Sequence, residues 1–337
     1  MKIIVDAFGG DNAPLAVLQG CEMAVKEYEG MEIVLCGHEE KIKECAKENN
    51  VCIEGMEIIH ADEVMDMHDE PNEILKSKSN TSLAVAFKAL AEGKGDAIVS
   101  AGSTGAVLVG ATFIAKRIKG IKRGALGAVM PTLGDPCLLV DCGANLNTRP
   151  DMLYQFGLLG SIYMNKVMGV ENPKVGLLNN GVEDTKGGEV LVETYQLLKN
   201  SDLNFIGNVE ARDVPKGVCD VLVADGFAGN VVLKLTEGVS MSFVKMFKDI
   251  LMKNFITKLC ALILKPGIAN LKKMMDADEH GGAPFLGISK PVIKAHGSSN
   301  AKAFKNALRQ ANSFAKTGVI DEIKSALSKE KEAQGAE

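Results

Sequence analysis

The sequence predicts an α/β fold in which a mostly parallel sheet is covered by helices on both faces. Short apolar runs alternate with longer segments of helical periodicity along almost the whole chain. Several of the short runs are continuously apolar, as strands buried on both faces are. This alternation is typical of strands joined by crossover helices in a parallel sheet.

The predicted elements alternate along the 337 residues, and we find no internal repeat, so we expect a single domain over residues 1–337. The strand candidates are Lys2–Asp6, Glu32–Cys36, Glu57–His60, Asp96–Ser100, Leu126–Met130, Cys137–Asp141, Lys174–Leu178, Asn204–Ile206 and Asp220–Ala224. The helix candidates are Leu15–Tyr28, Glu39–Glu48, Thr81–Glu92, Ala106–Ile118, Met152–Met168, Gly188–Lys199, Asn230–Lys253 and Asn300–Leu327.

The composition excludes several classes of protein. Hydrophobic residues make up 46% and charged residues 24% of the chain, as in soluble globular proteins. Aromatic residues are scarce, there is no Trp and the net charge is -5, so we expect no nucleic-acid partner. Eight cysteines without a CxxC pair indicate reduced thiols in a cytoplasmic protein. No apolar run reaches the roughly 18 residues that span a bilayer.

Five predicted strands run directly into small turns rich in Gly or Asn. The turns are Asp6–Asp11, Ser100–Gly105, Asp141–Asn145, Asn179–Lys186 and Asp225–Asn230. In an open α/β sheet such turns line one edge, where ligands bind. Unpaired backbone N–H groups and helix N-termini at that edge favour a small anion, most simply phosphate.

The first two turns offer backbone and hydroxyl donors. Gly9 and Gly10 permit a close approach to a ligand, and Asp11 either contributes to the site or caps the next helix. The second turn resembles an anion cradle, because two glycines and two hydroxyls precede a helix. An ordinary turn with Ser103 or Thr104 as the N-cap remains the alternative.

The third turn, Asp141–Asn145, contains Cys142 in a site-like setting, but none of the five His residues is near it in sequence. A nucleophilic cysteine needs a base or a lowered pKa, so we do not expect Cys142 to be one. Asn145 is a candidate donor to a ligand, or it stabilises the turn.

The fourth turn places Lys186 just before a predicted helix. A cation is unfavourable at a helix N-terminus unless an anion lies between the two. Lys186 is therefore the best candidate for holding phosphate, with Asn180 beside it. The alternative is a surface lysine paired with Glu183 or Asp184.

The fifth turn ends at Asn230, whose amide either binds phosphate, stabilises an oxyanion or caps the helix. His296 precedes the last helix and is either an acid–base group or a capping or packing residue. The candidate phosphate-binding residues of all the turns are Gly9, Gly10, Asp11, Ser100, Gly102, Ser103, Thr104, Gly105, Asn145, Asn180, Asp225 and Gly229.

Residues 245–275 predict a basic amphipathic hairpin. Between Lys245 and Lys273 there are seven lysines and one acid, a local charge of +6. Apolar residues at helical spacing predict one apolar face, and Pro266-Gly267 predicts the break between the two arms. Such a hairpin either lies on an anionic membrane or packs in a dimer interface or core. The candidate membrane-contact residues are Phe255, Ile256, Leu259, Leu262 and Ile263.

Taken together, the motifs resemble those of the bacterial acyl-acyl carrier protein:phosphate acyltransferase family of phospholipid synthesis. The motifs that carry the resemblance are Val5–Asp11, Ser100–Gly105, Asp141–Asn145, Gly181–Gly187, Asn208–Asp213 and Asp225–Asn230. The resemblance implies a three-layer α/β/α fold like those of isocitrate and isopropylmalate dehydrogenases and phosphate acetyltransferases. It also implies a homodimer that associates peripherally with the membrane.

The activity implied by the resemblance is the transfer of an acyl group from acyl carrier protein to inorganic phosphate. The acyl phosphate then feeds glycerol-3-phosphate acyltransferase on the route to phosphatidic acid. The resemblance maps the catalytic residues onto Lys186 and Asn230. In this interpretation phosphate is the nucleophile, held by Lys186 and the Ser100–Gly105 amides, while Asn230 donates to the developing oxyanion.

Three other functions fit parts of the sequence. Coenzyme A thioesters could replace the carrier protein, because both donors present pantetheine. An NAD-dependent decarboxylating dehydrogenase would need a carboxylate cluster for Mg²⁺, whereas the turns offer isolated acids. A non-catalytic membrane scaffold is the third. We expect no metal and no cofactor.

Overall fold

The structure is a computed structural model that describes residues 1–66, 68–275 and 281–335, and its strands form one eleven-stranded sheet. The strands are β1 (Lys2–Asp6), β2 (Glu32–Gly37), β3 (Glu57–His60), β4 (Ala97–Ser100), β5 (Ala125–Met130), β6 (Cys137–Val140), β7 (Val175–Asn179), β8 (Phe205–Glu210), β9 (Val221–Val223), β10 (Ala283–Leu286) and β11 (Val292–Lys294). Their order across the sheet is β3-β2-β1-β4-β11-β10-β5-β6-β9-β7-β8.

The helices connect these strands and cover the sheet. They are α1 (Leu15–Glu27), α2 (Glu39–Glu48), α3 (Ser82–Ala91), α4 (Thr104–Val109), α5 (Pro150–Lys166), α6 (Glu189–Lys199), α7 (Gly226–Leu251), α8 (Phe255–Met275), α9 (Ala301–Lys316) and α10 (Val319–Gly335). A π-helical segment, Gly110–Lys116, continues α4, and two short 3₁₀ helices lie at Pro71–Leu75 and Ala211–Lys216.

The chain is arranged in three layers, and this confirms the predicted α/β fold. Alternate strand residues point to opposite faces, so each strand contributes to two cores. Ile3 and Val5 of β1 belong to the core that contains residues of α1, α2, α5, α9 and α10. Ile4 belongs to the other core, which contains residues of α3 and α4 and packs against the start of α7.

The two halves of the sheet run in opposite directions. Strands β3, β2, β1, β4 and β11 are parallel to one another, and so are β6, β9, β7 and β8. Between the halves, β10 is antiparallel to β11 and β5, and β5 is antiparallel to β6. The prediction that all five turns lie along one edge is therefore wrong. The turns after β1 and β4 lie at one edge, and those after β6, β7 and β9 lie at the other.

Two elements differ from the sequence prediction for local reasons. Strands β10 and β11 were not predicted, because each is only three or four residues long and Pro and Gly interrupt the surrounding apolar residues. The predicted helix Asn300–Leu327 is divided into α9 and α10. The break falls at Gly318, whose φ of +69° lies in the left-handed region that favours glycine.

The hairpin bends earlier than the sequence predicts. Helix α8 continues through Pro266-Gly267, and the break lies at residues 252–254, between α7 and α8. There the Asn254 N–H donates to Thr257 Oγ1, and the Thr257 N–H donates back to Asn254 Oδ1, each at 3.0 Å. These reciprocal bonds satisfy backbone donors at the start of α8, so this position begins the second helix.

Candidate active site

A cavity of about 370 Å³ is lined by residues from both halves of the sheet. Its wall includes Leu126 and Ala128, which share one face of β5 because side chains alternate along a strand. The polar residues that line it come from β11 and its following turn, from the start of α4 and from α7. They are Thr104, Asn230, Lys234, Glu237, Lys294 and His296.

Asn230 reaches this cavity from the beginning of α7. Asp225 is the N-cap of that helix, and its carboxylate accepts hydrogen bonds from the Phe227 and Ala228 N–H groups at 2.9 Å. Asn230 therefore lies inside the helix, and the alternative in which Asn230 is the N-cap is wrong. Its exposed side chain has no hydrogen bond to the described residues, so its amide is available to a ligand.

The first turn of α7 is fixed against the end of β6 by glycines. A Cβ on Gly229 would lie 1.9 Å from the Asp141 carbonyl oxygen, and one on Gly226 would lie 2.7 Å from that of Asn145. Only glycine permits backbones to approach so closely. This packing places Asn230 beside the turn after β6, where a Cβ on Gly143 would lie 4.0 Å from the Asn230 side chain.

Asn145 holds its own turn together. Its Nδ2 donates to the Gly124 carbonyl oxygen at 2.8 Å and to Asp141 Oδ2 at 2.9 Å. The Asp141 carboxylate is buried, and it also accepts the backbone N–H groups of Leu126, Ala144 and Asn145. Burial raises the pKa of Asp141, while these hydrogen bonds act to lower it. The structure therefore gives Asn145 a role in positioning α7, and direct binding to a ligand stays a prediction.

Ser100 and Gly102 are also engaged in an internal network. Ser100 Oγ donates to Asp6 Oδ2 at 2.7 Å, and Ser82 Oγ donates to Asp6 Oδ1 at 2.6 Å. The Gly102 N–H donates to Ser100 Oγ at 3.0 Å. Burial raises the pKa of the Asp6 carboxyl, and the two serine hydroxyls oppose that rise. These donors form hydrogen bonds to other groups of the protein. A contact between them and phosphate stays a prediction.

Gly9 and Gly10 pack tightly against this network. A Cβ on Gly9 would lie 2.5 Å from Asp6 Oδ2, and one on Gly10 would lie 2.8 Å from the Gly297 carbonyl oxygen. The Asp11 N–H donates to that same oxygen at 2.8 Å, and Pro14 is the N-cap of α1. Asp11 therefore does not cap the helix. The turn after β1 is joined instead to the turn after β11.

Residues at the start of α4 have different surroundings, because some line the cavity and others pack inside the protein. Ser103 is the N-cap, although its side chain makes no capping hydrogen bond. Thr104 lines the cavity. A Cβ on Gly105 would lie 2.7 Å from Cγ of Pro71, so this glycine allows α4 to pack against the 3₁₀ helix. Of these residues, Thr104 is in a position to contact a ligand in the cavity.

Lys186 lies on the turn after β7, the strand next to β9, and it is not among the cavity-lining residues. Its side chain is 47% exposed, and its Nζ is 4.0 Å from Glu183 Oε1, the partner that the alternative interpretation names. Asn180 is exposed, and its N–H donates to Asn179 Oδ1 at 2.8 Å. Within the described residues, no contact brings Lys186 and Asn230 together.

Two lysines that the sequence did not single out lie in the cavity. Lys234, one turn after Asn230 on α7, donates to Glu237 Oε2 at 2.9 Å. Lys294 ends β11 and is only 8% exposed. Burial lowers the pKa of Lys294 to about 8, although Asp6 and Asp11 oppose that shift. A lysine at the end of an apolar run, Pro291–Ala295, is the sequence signal that could have identified it.

The thiol and the imidazole of the cavity differ in accessibility. Cys142 is buried, its Sγ donates to the Leu126 carbonyl oxygen at 3.2 Å, and burial raises the pKa of the thiol far above its usual value. A thiolate nucleophile is therefore disfavoured. His296 is exposed, and its Nδ1 lies 2.8 Å from Ser298 Oγ. Asn300 caps α9, so His296 does not perform that role.

The chain is similar to known proteins over nearly its whole length. It is 49% identical over 324 residues to a phosphate acyltransferase of Acetivibrio thermocellus, covering 96% of each chain. It is 48% identical to a phosphate acyltransferase of Bacillus licheniformis, covering 95% of this chain and 96% of the other.

Solved structures show the same fold. A phosphotransacetylase from Streptococcus pyogenes superposes with a TM-score of 0.66 at 17% identity over 94% of each chain. The EutD phosphotransacetylase from Staphylococcus aureus gives a TM-score of 0.63 at 16% identity, again over 94% of each. The sequence model of a family described as "Fatty acid synthesis protein" matches residues 1–322. The chain therefore belongs to this fatty acid synthesis protein family, together with the phosphate acyltransferases.

Proposed function

We propose that this protein is an enzyme that transfers an acyl group from acyl carrier protein to inorganic phosphate, giving acyl phosphate and free carrier protein. The observation that carries the proposal is a cavity that holds the Asn230 amide together with two lysine side chains. The extent of the identity to phosphate acyltransferases supports the same reaction.

The reaction needs no protein nucleophile. A phosphate oxygen attacks the thioester carbonyl carbon, a C–O bond forms, and the C–S bond breaks. The carrier thiolate leaves and takes up a proton. The Asn230 amide donates to the carbonyl oxygen as it becomes an oxyanion, a contact that is worth most in the transition state.

Lys186 is proposed as a catalytic residue, together with Asn230. Its turn follows β7 and lies next to the strand that leads into α7, and its ion pair with Glu183 is long and exposed. Exposed ion pairs contribute little to stability, so exchanging Glu183 for a phosphate oxygen costs little. Gly187, which follows it, has a φ of +86°, and this conformation keeps Lys186 outside α6.

The test is an assay of the purified protein with acyl-acyl carrier protein and inorganic phosphate. We expect release of free carrier protein that depends on phosphate and equals the acyl phosphate formed. Release without phosphate, or no release, contradicts the proposal. Parallel assays with acyl-coenzyme A separate the two pantetheine donors. If turnover is faster with acyl-coenzyme A, the acyl donor of this enzyme is acyl-coenzyme A and not the acyl carrier protein.

We further propose that the α7–α8 hairpin, within residues 245–275, contacts an anionic membrane peripherally. Many large apolar side chains on it are exposed, and Phe255 is 82% exposed. Exposed apolar area of this size marks an interaction surface, and the neighbouring lysines favour anionic lipid. Among residues 1–66, 68–275 and 281–335, no helix is long and apolar enough to cross a bilayer. The other proposed membrane-contact residues are also exposed; they are Ile256, Leu259, Leu262 and Ile263.

The remaining parts of the proposal concern assembly. The exposed apolar side chains of α7 nearer the cavity, such as Leu235 and Val239, support a homodimer contact. The continuous sheet supports a single domain over residues 1–337. A protein at the membrane surface in the cytoplasm would release acyl phosphate close to a membrane-bound glycerol-3-phosphate acyltransferase.

A further inference from the structure

The deepest cation of the cavity has an unused donor. Lys294 is 8% exposed, and its Nζ donates to the carbonyl oxygens of Ala101, at 3.3 Å, and Ala295. An ammonium group has three N–H donors. Within the described residues the third has no acceptor, while the Lys294 side chain lines the cavity. A buried donor without a partner is costly, so the site is suited to an acceptor that enters with a ligand.

The charge of Lys294 is also less well compensated than that of its neighbours. Lys234 pairs with Glu237 at 2.9 Å, and Lys186 has Glu183. No described carboxylate lies within ion-pair distance of Lys294. Asp6 acts on it through space but is occupied by Ser82 and Ser100.

The geometry points to Lys294 as the residue on the floor of the cavity that holds the inorganic phosphate. This inference rests on the proposed acyl transfer and assigns the nucleophile's position within it. The Lys294 ammonium donates to a phosphate oxygen, and a different phosphate oxygen attacks the thioester carbonyl that Asn230 polarises. Thr104, at the start of α4, lines the same cavity and offers a hydroxyl donor to the anion.

The depth of Lys294 distinguishes two sources of phosphate. The carrier protein's pantetheine arm also has a phosphate group, but that group remains near the protein that carries it. A residue that is 8% exposed suits a small free anion, whereas Lys234, with 55% of its side chain exposed, is accessible to a bulkier group. Lys294 should therefore control the affinity for inorganic phosphate and leave that for acyl carrier protein unchanged.

The experiment measures binding of radiolabelled inorganic phosphate by equilibrium dialysis, without acyl carrier protein. We compare the wild type with Lys294→Met, which keeps most of the length of the side chain and removes its charge, and with Lys316→Met, an exposed control on α9. We expect Lys294→Met to weaken phosphate binding by about 10–100-fold, the size of a charge-assisted hydrogen bond. Lys316→Met should bind as the wild type does. In turnover assays, Lys294→Met should raise KM for phosphate and not for acyl carrier protein.

The pH dependence provides a second measurement if Lys294→Met fails to fold. Burial lowers the pKa of Lys294 to about 8, Asp6 and Asp11 raise it, and Lys234 lowers it. Wild-type affinity for phosphate should therefore fall as the pH rises through about 8, where the ammonium loses its proton. Lys294→Arg should keep its affinity across that range, because arginine stays charged.

The outcomes separate this inference from the proposed function. Unchanged phosphate affinity in folded Lys294→Met overturns it, and so does a rise in KM confined to acyl carrier protein. A fall in phosphate affinity at alkaline pH that is the same in Lys294→Arg as in the wild type also overturns it. Phosphate binding that depends on Lys294, in a protein that forms no acyl phosphate, would support the binding site and reject the acyl transfer.

Discussion

The two ends of α7 belong to different environments. In its first turn Gly226 and Gly229 are buried against the turn after β6, and Asp225 caps the helix. Beyond Leu235, large apolar side chains are exposed, including Met241 at 73% and Phe243 at 63%. One helix therefore begins as a rigid wall of the cavity and ends as an uncovered apolar surface.

The first turn of α7 belongs to the proposed catalytic site, whereas its distal half and α8 belong to the proposed membrane-binding surface. The first turn fixes the Asn230 amide through backbone contacts that only glycine allows, as catalysis by a preorganised donor requires. Large apolar side chains of the distal half of α7 and of α8 are exposed, so substitutions there should change what the protein binds and leave the cavity intact. Substitutions at the two ends of the helix should therefore have separable effects.

The largest expected effect is that of Asn230→Ala. Removing one donor to a developing oxyanion lowers turnover by about 10²–10³-fold. We expect this loss with an unchanged free energy of unfolding, because the Asn230 side chain makes no hydrogen bond to the described residues. The measurements are kcat with saturating acyl carrier protein and a denaturant titration.

Asn145→Ala is the matched control for that variant. Its amide bonds Gly124 and Asp141, so its removal should lower the free energy of unfolding by about 1–3 kcal/mol. If Asn145→Ala lowers kcat as much as Asn230→Ala without loss of stability, the assigned division between structural and catalytic amides is wrong.

Lys186→Ala tests whether the turn after β7 contributes to the cavity. We expect turnover to fall by about 10–100-fold, the range for one hydrogen bond to a charged group. The fold should be retained, because the ion pair that Lys186 makes among the described residues is the exposed one with Glu183. Lys199→Ala on α6 is the control. Near-normal turnover in Lys186→Ala would leave Lys294 as the main phosphate-binding cation.

Leu259→Glu tests the distal hairpin and has the smallest expected effect. Leu259 is exposed on α8, and losing part of its burial in lipid should weaken binding to anionic vesicles by about tenfold. Flotation with phosphatidylglycerol vesicles measures this binding, with Lys316→Glu as a control. Turnover of soluble substrate should persist. Unchanged flotation of Leu259→Glu would contradict the membrane contact.

Sequence patterns predicted the elements more completely than the site. Apolar runs such as Lys2–Asp6 are strands whatever their partners, because local periodicity determines them. The turns were also recognisable, since Gly and Asn have strong local preferences. Whether the hydrogen-bond donors of a turn are available to a ligand depends on tertiary contacts, which the local sequence does not show. Ser100 and Asn230 look equally suitable in the sequence, yet Ser100 bonds a residue 94 positions away.

The sequence by itself determined the fold class, the strand-end turns and the basic apolar hairpin, because these depend on neighbours along the chain. The tertiary structure decided which turns meet. Three successive antiparallel pairings, β11–β10, β10–β5 and β5–β6, reverse the direction of the sheet. Strand β11 places Lys294 opposite Ser100 of β4. The charges that act on Lys294 are those of Asp6, Asp11 and Lys234, which lie far from it in sequence. The packing of the segments that carry them, and not local periodicity, determines its charge environment.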